Sequence, residues 1–342
     1  TNKVMPTARF KSTTEEAEMG ITWYDLQSNS SMQNRIHWFS DGTIGGVYTF
    51  GDTPTGFTER GTGYNYHDGN SWGPNSTERI EADRTGWPAY APLGENGELV
   101  VSHYSGAAVD GLAMSYRTEK GTGDWEYLPN FMGPDGHALL WPRMATGGVD
   151  NSVIHMLPIT MPTGNGGSVY QGIDGAIVYS RSTDGGETWD PENLLLDEIN
   201  VDYYTAISGD TYEIQSEGDV VAFVFGDYFT DLVLMKSTDG GDTWTKTLIY
   251  ETPYSPWDIN NMYVTDTFFC SDGTHALAID NEGMVHVAFG INWTYSDGST
   301  SYWYSDVDGL GYWNESRPIF SNTHNALSPY GDEGTEMVED YS

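Results

Sequence analysis

Residues 182–189 read STDGGETW, and residues 237–244 repeat them almost letter for letter as STDGGDTW. The shared letters keep fixed offsets: Ser182, Asp184, Gly186, Thr188 and Trp189 in one copy, Ser237, Asp239, Gly241, Thr243 and Trp244 in the other. Each copy lies between two strand-like runs, so each is expected to be a hairpin turn. An Asp in such a turn accepts hydrogen bonds from the backbone amides that follow it. Gly supplies the positive φ that the turn needs. Ser and Thr tie the two arms together, and Trp offers an apolar plate beside the sheet edge. Crowded Asp, Ser and Thr suggest chemistry, but one active site needs only one such cluster. Repetition points to scaffold.

Two marks recur in order around these turns. The first is a turn followed by a β run: SDGTIGGVYTFG (40–51), ENGELVVSHYSG (95–106), DNSVIHMLPIT (150–160), EGDVVAFVFGD (217–227) and EGMVHVAFG (282–290). The second is a polar turn ending in Trp72, Trp125, Trp189, Trp244 or Trp313, at steps of 53, 64, 55 and 69 residues. Short strand-like runs lie between the marks and beyond each Trp. Each unit therefore holds about four short strands, the size of one propeller blade. A lone blade cannot bury both faces, and radial packing of blades does so while leaving short edges. The expected fold is all-β, a single β-propeller domain over 1–342 with four-stranded antiparallel blades. Clear repeats span about 35–320. Six blades are expected: five clear, the sixth completed by the flanks 1–34 and 314–342 or left incomplete.

The composition fits. Aromatic residues make up 14%, with 41 Gly among 342 residues, a mixture suited to strands and tight turns. The chain carries 14 Lys plus Arg against 50 Asp plus Glu, a net charge of −36. A nucleic-acid backbone or an anionic membrane surface would be repelled. No run of 18 apolar residues exists to span a membrane. The one cysteine, Cys270, lies in an apolar run and is expected to be a buried, inert thiol. The chain opens on Thr1, without a signal-like segment, and is expected to be processed or trimmed.

The pattern S-x-D-x-G-x-T-W resembles the Asp-box, or bacterial neuraminidase repeat, of sialidase-like β-propellers. Weaker relatives are NYHDGNSW (65–72), TEKGTGDW (118–125) and SDVDGLGYW (305–313). The resemblance covers roughly residues 35–313. It implies that the Asp-box lies on the blade periphery, so Asp184 and Asp239 are not expected to be catalytic. The whole also resembles exported proteins of Gram-negative bacteria that use the type IX secretion route. That resemblance implies a secreted or cell-surface protein and contact with secretion machinery.

Sialidases of that family hold a substrate carboxylate with three arginines, for which the guanidinium fork is suited. The resemblance assigns the first to Arg35, in NRIHWFSDGT with His37 where the family has Pro. It assigns the acid to Asp52 and the glutamate to Glu213. The second and third arginines are absent where the pattern wants them. Arg84, Arg143 and Arg317 are left to converge from elsewhere, and Tyr295, Tyr302 and Tyr304 are nucleophiles by residue type only. His275 and His286, in THALAIDNEGMVHVAFG, resemble repeats of propeller polysaccharide lyases, where a His or Tyr removes the proton next to a uronate carboxylate.

No cofactor is expected. Fifty acids in turn-rich loops admit calcium in general, with no site named. The leading expectation is an extracellular or cell-surface propeller that binds a glycan or surface protein without a complete sialidase site. Arg35, His275 and His286 are its candidate ligand contacts. The alternatives are a carbohydrate-active enzyme, exo-glycosidase or polysaccharide lyase, acting on an acidic glycan, and a structural adhesion or surface-layer module. If the chain is an enzyme, Arg35, Asp52 and Glu213 are the catalytic candidates.

Overall fold

The computed structural model describes residues 16–105, 111–320 and 337–340. Five antiparallel sheets follow one another along them. The first holds β1 (Ile36–Trp38), β2 (Ile44–Phe50) and β3 (Gly61–His67). The second holds β4 (Thr85–Leu93), β5 (Gly97–Tyr104), β6 (Leu112–Arg117) and β7 (Glu126–Tyr127). The third holds β8 (Leu139–Gly147), β9 (Val153–Thr160) and β10 (Ser180–Ser182), with Leu194 bridging to Tyr179 just before β10. The fourth holds β11 (Tyr212–Glu217), β12 (Val220–Phe225), β13 (Leu232–Ser237) and β14 (Thr245–Tyr250). The fifth holds β15 (Phe268–Ile279), β16 (Val285–Ser296), β17 (Ser301–Asn314) and β18 (Met337–Asp340). Strand order within every sheet is chain order, and every paired neighbour is antiparallel.

The first mark of each repeat falls at one place in every sheet. The turn-plus-β runs are β2, β5, β9, β12 and β16, the second strand of each sheet. The first strands pack side by side: β4 on β8, β8 on β11, β11 on β15, with β1 and β2 against β4. The flanks build no sixth sheet among the described residues. The C-terminal β18 pairs with β17 in the fifth sheet. Residues 16–34 instead run toward the first strands of the other sheets. Ser31 Oγ donates to Gly273 O at 3.1 Å and meets His275 Nδ1 at 3.0 Å, while Ser31 N donates to Asp210 O. Asn34 Nδ2 donates to Met144 O, and Asn34 O accepts from Tyr90 N. Residues 1–15, 321–336 and 341–342, where part of the sixth-blade expectation falls, lie outside the described residues.

The core lies between sheets rather than within any one of them. Its largest cluster joins Leu99 and Met114 of the second sheet to Met156 and Tyr179 of the third, and Phe223 and Met235 of the fourth. A second joins Val224 and Leu234 to Val287 and Phe289. The second, third and fourth sheets are thus packed against a neighbour on either side. Full burial of one such apolar side chain contributes roughly 1.5–3 kcal/mol.

The STDGG turns are local clasps. Ser182 Oγ donates to Asp184 Oδ1 at 2.8 Å and accepts from Gly186 N at 2.8 Å. Asp184 Oδ1 accepts from Thr188 N at 2.9 Å, and Oδ2 from Thr188 Oγ1 at 2.5 Å. Ser237, Asp239, Gly241 and Thr243 repeat the same bonds. These bonds hold the carboxyls of Asp184 and Asp239 down to about 2, the Thr188 bonds leading for the first and the Ser237 bond for the second. Each clasp leans on the sheet before it. Trp189 meets Phe131 edge-on at 4.7 Å, and Trp244 meets Tyr179 at 4.8 Å. Among the described residues, no helix is long and apolar enough to cross a membrane.

Candidate functional site

The first strands carry a feature that the repeats did not announce. In four consecutive sheets, the residue two positions before ladder pairing begins or resumes is left-handed: Trp87 (φ 56), Trp141 (φ 47), Asp210 (φ 67) and Gly273 (φ 85). Pairing shifts register there in three of them, between Gly86 and Ala89, Leu140 and Arg143, and Ser271 and His275. Such bulges bend the strand and re-aim side chains, and they gather beside binding sites. The bulges at Trp87 and Trp141, and the left-handed Asp210, bring these three residues to one cleft.

That cleft has a volume of about 520 Å³. Tyr24, Trp87, Tyr104 and Trp141 supply its aromatic walls, with Arg60, His103 and Asp210 among them. Asp210 is buried and ties the walls together. Its Oδ1 accepts from Trp87 Nε1 at 2.9 Å and from Arg143 Nη2 at 2.9 Å; its Oδ2 accepts from Asn29 Nδ2 at 3.3 Å. His103 stacks on Trp87 at 6.5 Å and meets Trp141 edge-on at 6.3 Å. Its Nδ1 lies 3.1 Å from Trp141 N, which can only donate. The imidazole therefore carries its proton on Nε2, a donor without a partner among the described residues. Burial, then Arg60, Arg143 and Arg84, push its pKa down to about 3, so it stays neutral.

Among the described residues, Arg60 lines the cleft without a carboxylate partner. Its Nε donates to Thr85 O at 2.9 Å and its Nη1 to Tyr24 Oη at 3.5 Å. The guanidinium stands 5.3 Å from the Tyr24 ring centre. Nη2 has no hydrogen-bond partner among the described residues. Burial and the nearby Arg84 lower its pKa. Arg35 is lowered to about 10, by burial first and by Arg143 next. Four of the nine arginines thus feel one another in a chain of net charge −36. Three are already engaged. Arg143 is paired with Asp210, Arg84 donates to Phe57 O and Ser105 O, and Arg35 donates to Gln27 and Thr49.

The residues singled out in the sequence fall as follows. Arg35 is buried beneath the cleft without lining it. Asp52 is exposed in a separate recess with Glu59, Arg79 and Glu81. Glu213 is buried on β11, accepts from Gln215 Nε2 at 3.2 Å, and is pushed up to about 7 by burial. Arg35, Asp52 and Glu213 do not share one pocket. His275 is enclosed between Ser31 and Ser271, and His286 between Tyr312 and Asp280. Both ring nitrogens of each are occupied, and neither histidine lines the cleft. Of the three arginines left to converge, Arg84 and Arg143 lie near His103 without lining the cleft, while Arg317 stands over Tyr312 at 5.4 Å. Tyr295 of β16 stacks on Tyr302 of β17 at 4.9 Å and lies tilted against Tyr304 at 5.9 Å. Cys270 is buried, its thiol pushed up by burial. No group of three or more His, Cys, Asp or Glu able to hold a metal occurs among the described residues.

Sequence reading missed Tyr24, Arg60, His103 and the two tryptophans. A signal was available. Trp87-Pro88 and Trp141-Pro142 are the same dipeptide at the same place in consecutive first strands, outside both marks of the repeat.

No family model and no curated protein matches the chain. Solved structures do. An endo-arabinase from Bacteroides thetaiotaomicron is 13% identical, covering 84% of this chain and 96% of that one at a TM-score of 0.45. A PL25 polysaccharide lyase, an ulvan lyase, is 11% identical over 84% of this chain and 83% of its own, TM-score 0.43. The microbial sialidase Hz136 is 12% identical over 84% and 64%, TM-score 0.43.

Proposed function

We propose that this chain is a carbohydrate-active protein whose cleft takes an anionic sugar of an acidic glycan. We read the five sheets as blades of one ring, closed where Ser31 meets His275, with the cleft at one mouth of its channel. The carrying observation is the set of arginines under the cleft. Net charge −36 repels polyanions, and only a local concentration of guanidinium groups beneath aromatic walls reverses that. Arg60 offers a free N–H edge to a carboxylate or sulfate. Tyr24, Trp87 and Trp141 offer faces to sugar rings.

The same geometry favours elimination over hydrolysis. A two-carboxylate glycosidase needs a pair of acids about 5–9 Å apart across the bond. The cleft is lined by one carboxylate, Asp210, and Arg143 and Trp87 already hold it. In elimination, Arg60 and the Nε2–H of His103 would hold the uronate carboxylate and stabilise the charge that develops when the adjacent proton leaves. The Tyr24 oxygen, beside Arg60, is the candidate group that takes the C5 proton as the C4–O bond breaks and the C4–C5 double bond forms, and that hands the proton to the departing sugar oxygen. The setting is outside the cell or at its surface, where polymeric acidic glycans are met.

The test is binding and turnover on alginate, polygalacturonate, chondroitin sulfate and heparan sulfate. Absorbance near 235 nm reports new unsaturated uronates, and reducing ends report hydrolysis. The expected result is binding to at least one, lost in Arg60→Ala, with unsaturated product. Binding without product reduces the protein to a lectin-like module. No binding, or binding untouched by Arg60→Ala, overturns the proposal.

A further inference from the structure

The wall that carries Tyr24 belongs to none of the sheets. Residues 22–35 cross the first sheet before β1 begins, and the ladder between the first two strands starts only at Arg35, whose carbonyl accepts from Val47 N. Thr49, two residues further along β2, would be left with an open amide and carbonyl. Gln27 closes both. Its Oε1 accepts from Thr49 N at 2.9 Å, and its Nε2 donates to Thr49 O at 2.9 Å. The side-chain amide thus imitates the backbone of a missing strand residue. It uses its remaining capacity on the same segment: Nε2 also donates to Tyr24 O at 2.6 Å, and Oε1 also accepts from Arg35 Nη1 at 3.0 Å.

Thr22 supplies the second anchor. Its hydroxyl donates to Thr49 O at 3.0 Å and accepts from Tyr24 N and Gly51 N, both at 3.0 Å. Tyr24 is therefore held on both sides of its own backbone, its N–H by Thr22 and its C=O by Gln27. Its ring is set against Phe57 at 5.1 Å and Trp87 at 6.3 Å, with Arg60 over it. Beside these side-chain anchors, one backbone bond, from Trp23 N to Gly51 O at 2.9 Å, ties this stretch to the first sheet, and an extended segment needs such bonds to hold one conformation.

We infer that Gln27 is a positioning residue for the cleft: by pairing with Thr49 in place of a strand, it fixes Tyr24 against Arg60 and so sets the cleft's affinity for an anionic sugar. The inference rests on the function proposed above only in its last clause. The pinning stands on geometry alone.

Two measurements separate those parts. The first needs no ligand. Backbone hydrogen exchange is followed in wild type, Gln27→Ala and Gln27→Met, the last filling similar volume without an amide. In both variants the segment 22–29 and Thr49 should exchange about tenfold faster, as expected when hydrogen bonds of this kind are lost. Peptides over the 182–189 and 237–244 turns should be unchanged. Unchanged exchange over 22–29, or rescue by Met, overturns the pinning. The second is a double-mutant cycle of Gln27→Ala and Tyr24→Ala on binding of the polysaccharides above. Gln27→Ala should weaken binding about tenfold, with little further loss in the double variant, because both act through one group. Additive losses overturn Gln27 as a positioning residue. Should wild type bind none of the four polysaccharides, the affinity clause fails with the proposed function, and exchange alone decides the pinning.

Discussion

Arg143 and Asp210 form an ion pair with 2.9 Å between Nη2 and Oδ1, their side chains only 1% and 3% exposed. The same carboxylate oxygen receives the indole N–H of Trp87, and Arg143 also donates to Ser31 O at the entry of the first sheet. One carboxylate therefore joins the fourth sheet to the second and third, and through Arg143 to the segment leading into the first. Asp210→Ala would strand a buried guanidinium and a buried indole N–H. A loss of about 3–5 kcal/mol is expected, the usual cost of breaking such a pair from one side. Denaturant unfolding of Asp210→Ala, and of Asp210→Ala with Arg143→Met, checks this. The double variant should recover part of the loss.

Glu213 makes the opposite contribution. Its carboxyl is pushed up from 4.5 to about 7 by burial. The folded chain holds this proton more tightly than the unfolded chain, so stability falls as pH rises from about 4.5 to 7 and then levels off. Glu213→Gln removes that penalty. It should gain up to about 3 kcal/mol over wild type at pH 8 and nothing at pH 4. Equal gains at both pH values would show that ionisation plays no part.

Three buried histidines set the acid limb. His103 and His275 are lowered to about 3 and His155 to about 4, in each case by burial first. Their folded pKa values lie below the ordinary 6.5. The stability they contribute is complete above pH 6.5 and lost as pH falls toward 3–4. Three such groups outweigh Glu213 over the shared window. Melting temperature should therefore drop on acidification from pH 7 to 5, and His155→Gln should shallow that slope.

The glycines of one clasp are unequal. Gly240 (φ 69) has open space where a Cβ would sit, whereas at Gly241 (φ 92) a Cβ would lie 2.0 Å from Tyr179 Oη. Gly240→Ala should cost about 1 kcal/mol, the backbone penalty alone. Gly241→Ala should cost clearly more, because the clasp must lift from the third sheet. Thermal unfolding of the pair reads the difference.

The clasps were legible in the sequence because every bond in them spans four residues or fewer. Ser182 reaches Asp184 and Gly186, and Asp184 reaches Thr188. Chemistry that local repeats wherever its letters repeat. The strands beside it followed from turn signals and apolar runs for the same reason. The cleft was not legible. Trp87 meets Asp210 across 123 residues, Arg143 meets Asp210 across 67, and Ser31 meets His275 across 244. No spacing rule covers such pairs. Asp52 stayed at its turn, and His286 lies on β16 away from the cleft.

Composition and repeats were enough for an all-β chain of successive antiparallel sheets, since hairpin geometry and two-residue alternation are written in neighbouring letters. They also marked the STDGG turns as scaffold. The folded chain brings Arg60 to the cleft wall, where left-handed residues at Trp87, Trp141 and Asp210 rotate side chains off the regular strand pattern. Long-range packing brings Tyr24, Arg60 and His103 to one place, and charge, burial and hydrogen-bond vacancy acquire meaning only after those distances exist.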